Sequence, residues 1–136
     1  MSDIVVRRVS DDLDPNEIAA LYEAVGWGRR EDYAPDDLTT AVRRTTFVFA
    51  ALDGERLVGL LRALSDGVYV TWVAEVVVHP AHQCRGVGTA LMRHLLANAG
   101  HTSIYAECLA GALPFLDRLG ITEKPTLVAC SRRTAG

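Results

Sequence analysis

The chain has 136 residues, with 23% charged and 49% hydrophobic content, which suits one folded domain over 1–136 of ordinary globular composition. No apolar run approaches the roughly 20 residues of a membrane-spanning helix. Net charge is −3, with 10 of the 17 acids and 4 of the 14 bases in the first 40 residues, and no basic stripe interleaved with aromatics, so nucleic acid is not an expected partner.

Residues 4–9, rich in valine and isoleucine, read as an opening strand. Asp14 and Pro15 then suit the cap and first position of a helix, and Glu17 stands at capping-box spacing. Ile18, Leu21, Tyr22 and Val25 share the inner face of that helix, and Gly26 ends it. Residues 27–34 read as a loop. Pro35-Asp36-Asp37 opens a second helix with Leu38, Ala41 and Val42 inward. Three strands follow, 46–52, 57–64 and 68–78, separated by the hairpin pairs Asp53-Gly54 and Asp66-Gly67. The third is almost continuously apolar, as in a strand covered on both faces. Beyond it come a helix with Leu91, Met92, Leu95, Leu96 and Ala99 inward, closed by Gly100, and a strand at 103–108. A short helix carries Leu113, Pro114, Phe115, Leu116 and Leu119 and stops at Gly120; a last strand is expected at 126–130.

The chain is organised around residues 76–90, which read as strand, loop and helix. Gly86 and Gly88 remove two Cβ atoms at the bend, so that successive N–H groups turn toward one point. The helix adds its free N-terminal donors and the positive end of its dipole, making a cradle for a diphosphate. Gln83-Cys84-Arg85-Gly86-Val87-Gly88, led by Val78-His79-Pro80, resembles the Gln/Arg-x-x-Gly-x-Gly/Ala segment of the GNAT superfamily of acyl-CoA-dependent N-acyltransferases. Phe115-Leu116-Asp117-Arg118-Leu119-Gly120-Ile121 resembles that family's Phe-Tyr-x-x-Leu-Gly-Phe segment at the matching distance downstream. The resemblance covers nearly the whole chain. It implies a mixed α/β domain in the order β-α-α-β-β-β-α-β-α-β: a mostly antiparallel twisted sheet with a V-shaped splay, flanked by helices. It also implies acetyl-CoA as co-substrate, a small-molecule amine or peptide as acceptor, and a homodimer.

From the resemblance, the pyrophosphate of acetyl-CoA falls on the backbone of Gln83, Cys84, Arg85, Gly86, Val87, Gly88 and Thr89, with Phe115 nearby. The pantetheine arm falls along Val76, Val77 and Val78, one of whose N–H groups would polarise the thioester carbonyl. Arg85 either adds a charge-assisted phosphate contact or is a solvated side chain. Glu75, an acid in an apolar strand, needs a partner or a task. It is read as the general base, acting directly or through a water, against an ion pair with Arg62 on the neighbouring strand. The family's tyrosine acid is replaced by Leu116, which has no proton to give. Tyr69 and Tyr105 are the candidate donors, each set against a packing role, and the thiolate can also leave unprotonated. Trp27, Glu31 and Tyr33 lie in the loop expected to overhang the acceptor. Glu23, Glu31, Asp32, Asp36 and Asp37 around it, against Arg29 and Arg30, favour a cationic acceptor such as a polyamine or aminoglycoside, unless they only cap helices and meet solvent.

His79 and His82 have no ligand-spaced acids and read as solvated loop residues, so no metal is expected. Cys84, Cys108 and Cys130 are odd in number and scattered, which fits a reducing compartment; with no basic segment at Met1-Ser2-Asp3-Ile4, the cytoplasm is the expected address. The expected activity is transfer of an acetyl group from acetyl-CoA to a primary amine by direct attack in a ternary complex. Two rivals stand beside it: a non-catalytic acyl-CoA-binding or regulatory module, suggested by Leu116, and a Rossmann-type dinucleotide-binding domain, suggested by Gly86-x-Gly88 with Glu107 downstream. The latter lacks its third glycine, Leu91 standing there.

Overall fold

The structure, a computed structural model, describes residues 3–134. Met1 and Ser2, part of the opening read as lacking a leader, and Ala135 and Gly136, the end of the expected 1–136 domain, lie outside the described residues.

Strands β1 (Ile4–Arg8), β2 (Phe47–Asp53), β3 (Arg56–Ser65), β4 (Val70–Val78) and β5 (Ser103–Ala106) form one sheet in chain order. Neighbours from β1 to β4 are antiparallel, β2–β3 and β3–β4 as hairpins and β1–β2 across the two intervening helices, whereas β5 runs parallel to β4 after a helical crossover. Helices α1 (Pro15–Ala24) and α2 (Pro35–Arg43) precede β2, α3 (Val87–Ala99) is the crossover, and α4 (Leu113–Asp117) follows β5. The sheet of the described residues is mostly antiparallel and not doubly wound, which removes the dinucleotide-binding alternative.

Alternation along the strands divides the core in two. Val48, Ala50, Leu60 and Val77 meet Ile18, Leu21 and Tyr22 of α1 and Leu38 and Val42 of α2. Phe49, Leu61, Ala63 and Val73 meet Val87, Leu91, Met92 and Leu95 of α3 on the opposite face. Each fully buried leucine or isoleucine adds about 1.5–3 kcal/mol. Gly59 sets how closely α3 approaches: a Cβ there would lie 3.0 Å from Val87 and 3.2 Å from Leu91. The first turn of α3 therefore rests directly on the sheet.

Two irregularities on β4 create the site. Arg62 pairs with Glu75 while Ala63 pairs with Val73, so Ala74 is an extra residue, a bulge. On the other edge, the ladder with β5 ends at Val73↔Ala106. From Ala74 to Val78, that edge of β4 has no strand partner among the described residues, which is the splay expected from the resemblance.

Some expectations are corrected. The final strand at 126–130 does not form: after Pro125 the Leu127 N–H closes a turn on Lys124, and Leu127 and Val128 stay exposed with no core surface to cover. Asp14 caps α1 through Asn16 N–H at 2.9 Å, but Glu17 does not complete a capping box; it accepts instead from the part-buried Leu57 N–H at 2.9 Å. Asp66 accepts from the N–H groups of Val68, Tyr69 and Val70, so the turn is longer and β4 starts at Val70. Ala41 is exposed, leaving Leu38 and Val42 to bury α2. The loop 27–34 contains a 3-10 turn at Arg30–Asp32.

Candidate active site

The cradle is a backbone structure. Gly86 caps α3 with φ of 82°, and Cys84 adopts φ of 62°, a conformation uncommon for a residue carrying a Cβ. Among the described residues, none of the N–H groups of Cys84, Arg85, Gly86, Val87, Gly88 and Thr89 donates to a protein acceptor; intrahelical bonding begins with Ala90 N–H to Gly86. The side chain of Gln83 is turned back to the Val78 carbonyl at 2.9 Å, tying the loop to the end of β4. A Cβ on Gly86 would meet no protein atom, so the space before the loop is open. Gly88 has a different reason: a Cβ there would meet the Phe115 ring at 3.3 Å, and Phe115 packs over the first turn of α3. The cradle thus fits an anionic group such as a diphosphate. Arg85 is exposed beside it.

The free edge of β4 leads from the cradle to Glu75. Val76 and Val78 pack toward α3 and Val77 is buried toward α1, so only their backbone edge faces the splay. Glu75 is held by both oxygens. Arg62 donates to Oε1 from Nη2 at 2.7 Å and Nε at 3.0 Å, and the Tyr22 hydroxyl donates to Oε2. Arg62 is itself braced by Thr45 at 3.1 Å. Burial, then the charge of Glu75, raise the Tyr22 phenol above the ordinary tyrosine value, so it stays a neutral donor. For Arg62, burial pulls downward, but the hydrogen bond and charge of Glu75 outweigh it, and the guanidinium remains protonated. The Arg62 pairing left open by the sequence is present, and Tyr22 joins it. A tyrosine on a buried helix face requires a partner for its hydroxyl; that was the available signal for Tyr22.

Tyr22 also centres an aromatic group, with ring centroids 5.6 Å from Trp27 and 5.2 Å from Tyr33. The Tyr33 hydroxyl donates to the Trp27 carbonyl, folding the loop after α1 over the sheet. Glu31, grouped with these two in the sequence, is not brought to them; it pairs with Arg29 at 3.5 Å and is exposed. The other acids there are also matched: Asp32 with Arg29 at 3.7 Å and Glu23 with Arg30 at 3.2 Å.

Tyr69 lies in the turn before β4, four residues from Val73 and at the end of the strand remote from the cradle, about 13 Å from where the splay begins. Tyr105 is adjacent to the splay, paired with Trp72 one rung before the ladder ends, and is half exposed. Leu116 is buried. His79 Nδ1 accepts from Ala81 N–H, and the His82 ring lies 6.0 Å from it. All three cysteines are exposed thiols.

The profile of the Acetyltransferase (GNAT) family matches residues 12–121. A putative acetyltransferase from Deinococcus radiodurans R1 superimposes with a TM-score of 0.80 at 25% identity, covering 96% of this chain and 89% of that one. Among curated proteins, histone acetyltransferase TAP1 of Glycine max is 27% identical over 131 residues, 84% of this chain and 54% of that protein. Serotonin N-acetyltransferase 2 of Oryza sativa, a chloroplastic protein, is 32% identical over 111 residues, 75% of this chain and 54% of that protein. The chain therefore spans about half the length of the curated relatives it matches.

Proposed function

Because the chain belongs to the GNAT family of acetyltransferases, we propose that it transfers acetyl from acetyl-CoA to a primary amine within one ternary complex. The observation that carries this reading is the run of six unpartnered N–H groups at 84–89, continuous with the free edge of β4. Residues 84–89 would hold the diphosphate of acetyl-CoA, and the edge of Val76–Val78 would align its pantetheine arm. The co-substrate supplies an activated acyl carbon. The amine nitrogen attacks that carbon, the C–S bond breaks, and CoA leaves as a thiolate while the proton that the amine gives up passes to the protein. Orientation and N–H donation to the developing oxyanion carry most of the acceleration.

Glu75 is the proton acceptor in this proposal. Its Oε2 is covered by the Tyr22 hydroxyl, so the proton passes through that hydroxyl: Tyr22 takes it from the amine while giving its own to Glu75. Arg62 keeps the carboxylate in place. Tyr105 is the hydroxyl nearest the splay from β5 and the candidate donor to the departing sulfur. The test is thiol release with a panel of amines, together with calorimetric acetyl-CoA binding. Binding without turnover by any amine returns the non-catalytic alternative.

A further inference from the structure

Next to the Arg62–Glu75 rung, on the same face of the sheet, lies a second rung that no helix of the described residues covers. Leu64 on β3 is the direct neighbour of Trp72 on β4, which is the direct neighbour of Tyr105 on β5. The intervening pair, Ala63 and Val73, is buried against α3, so strand alternation turns Leu64, Trp72 and Tyr105 to the α1 side. There they remain 44%, 43% and 51% exposed. The α1 roof explains why: it reaches Glu75 through Tyr22, stops at Ala24, and continues as the partly exposed Trp27. A contiguous apolar strip on a small domain marks a binding surface, and this one is continuous with the proposed proton acceptor.

We infer that the Leu64–Trp72–Tyr105 rung selects the acceptor and takes an amine with an aromatic body, whose amino group reaches the Tyr22–Glu75 end. The inference rests on the acetyltransferase reading and refines its substrate. Rungs on one face stand about 7 Å apart, so a ring lying on Trp72 needs only a short alkyl arm to bring its amino group toward the Tyr22–Glu75 end. Trp72 and Tyr105 offer flat, rigid surface to such a ring. A charge-selected polycation is disfavoured by the pairing of every acid of the overhang, Glu23, Glu31 and Asp32, and of Glu75, with an arginine. Asp36 and Asp37 are outside this set and stabilise the start of α2.

The experiment compares kcat/KM for 2-phenylethylamine, ethylamine and spermidine in the wild-type protein and in Trp72→Ser, Leu64→Ser and Trp72→Phe. Unchanged acetyl-CoA affinity and melting temperature serve as the check on folding. The expected result is a preference for phenylethylamine of tenfold or more. Trp72→Ser brings it near one, mainly through KM, Leu64→Ser lowers it less, and Trp72→Phe restores it. Equal use of the three amines, or a preference for spermidine, overturns the inference while leaving the acetyltransferase reading intact. Turnover of no amine overturns both. If Trp72→Ser leaves selectivity unchanged but converts a sedimenting dimer into monomer, the rung is an interface between copies and the inference falls.

Discussion

The two halves of the candidate site are built from different material. The proposed cofactor side consists of backbone N–H groups at 84–89, aimed by a left-handed Gly86 and by a helix seated on Gly59. The proposed acceptor side consists of side chains from four elements: Tyr22 of α1, Trp27 and Tyr33 of the following loop, Arg62 of β3, and Glu75 and Trp72 of β4. A backbone cradle works through one local bend and tolerates change in most side chains. A side-chain cluster fails when any one member is removed. Variants on the two sides should accordingly affect different quantities: acetyl-CoA affinity on one, turnover and selectivity on the other.

The largest effect is expected at Glu75. Glu75→Gln retains shape and removes the proton acceptor, and a positioned base is worth about 10²–10⁴ in rate. The turnover number should fall by that order with acetyl-CoA affinity unchanged; near-full turnover at every pH would make Glu75 a structural partner of Arg62. Arg62→Met strands the largely buried Glu75 carboxylate and should cost about 3 kcal/mol of stability, read from urea unfolding.

Tyr22→Phe is expected to lower turnover while the protein stays folded, since Glu75 keeps Arg62. It also has a signature in pH. The Tyr22 phenol is raised in the folded state above its unfolded value of about 10, so its contribution is fully present below that pH. Above it the unfolded chain loses this proton more readily than the folded one, and stability declines. Melting temperatures between pH 9 and 11 should fall less steeply in Tyr22→Phe than in the wild type; parallel slopes would separate Tyr22 from the effect.

The smallest effect is expected in the overhang. Its ion pairs are exposed, and such pairs contribute about 0–1 kcal/mol. Arg30→Ala should leave the melting temperature within about 2 °C, and turnover of a cationic amine should depend little on salt. Strong salt dependence would revive charge-based selection.

The contrast also explains what could be read in the sequence. Asp14, Gly26, the two Asp-Gly turns, the cradle and α3 are local in cause, so residue order reveals them. Gly88 was readable as a small residue, but its reason, the Phe115 ring, comes from α4. Tyr22 was readable as buried and not as hydrogen-bonded, because its partner is 53 residues away. The acids at 23, 31 and 32 looked like a negative cleft because their pairing with Arg29 and Arg30 depends on the folded loop. Residues 126–130 have strand-like composition, but a strand also requires a partner edge and a surface to cover, which composition does not report.

Calorimetric titration of acetyl-CoA into the wild-type protein and Gly86→Val tests the central claim most directly. The valine meets no protein atom, yet it projects into the open space before the loop and disfavours the φ of 82° that aims the N–H groups. The account predicts binding to the wild type and at least a tenfold loss in Gly86→Val, with circular dichroism unchanged. Equal affinity in the two proteins would contradict it.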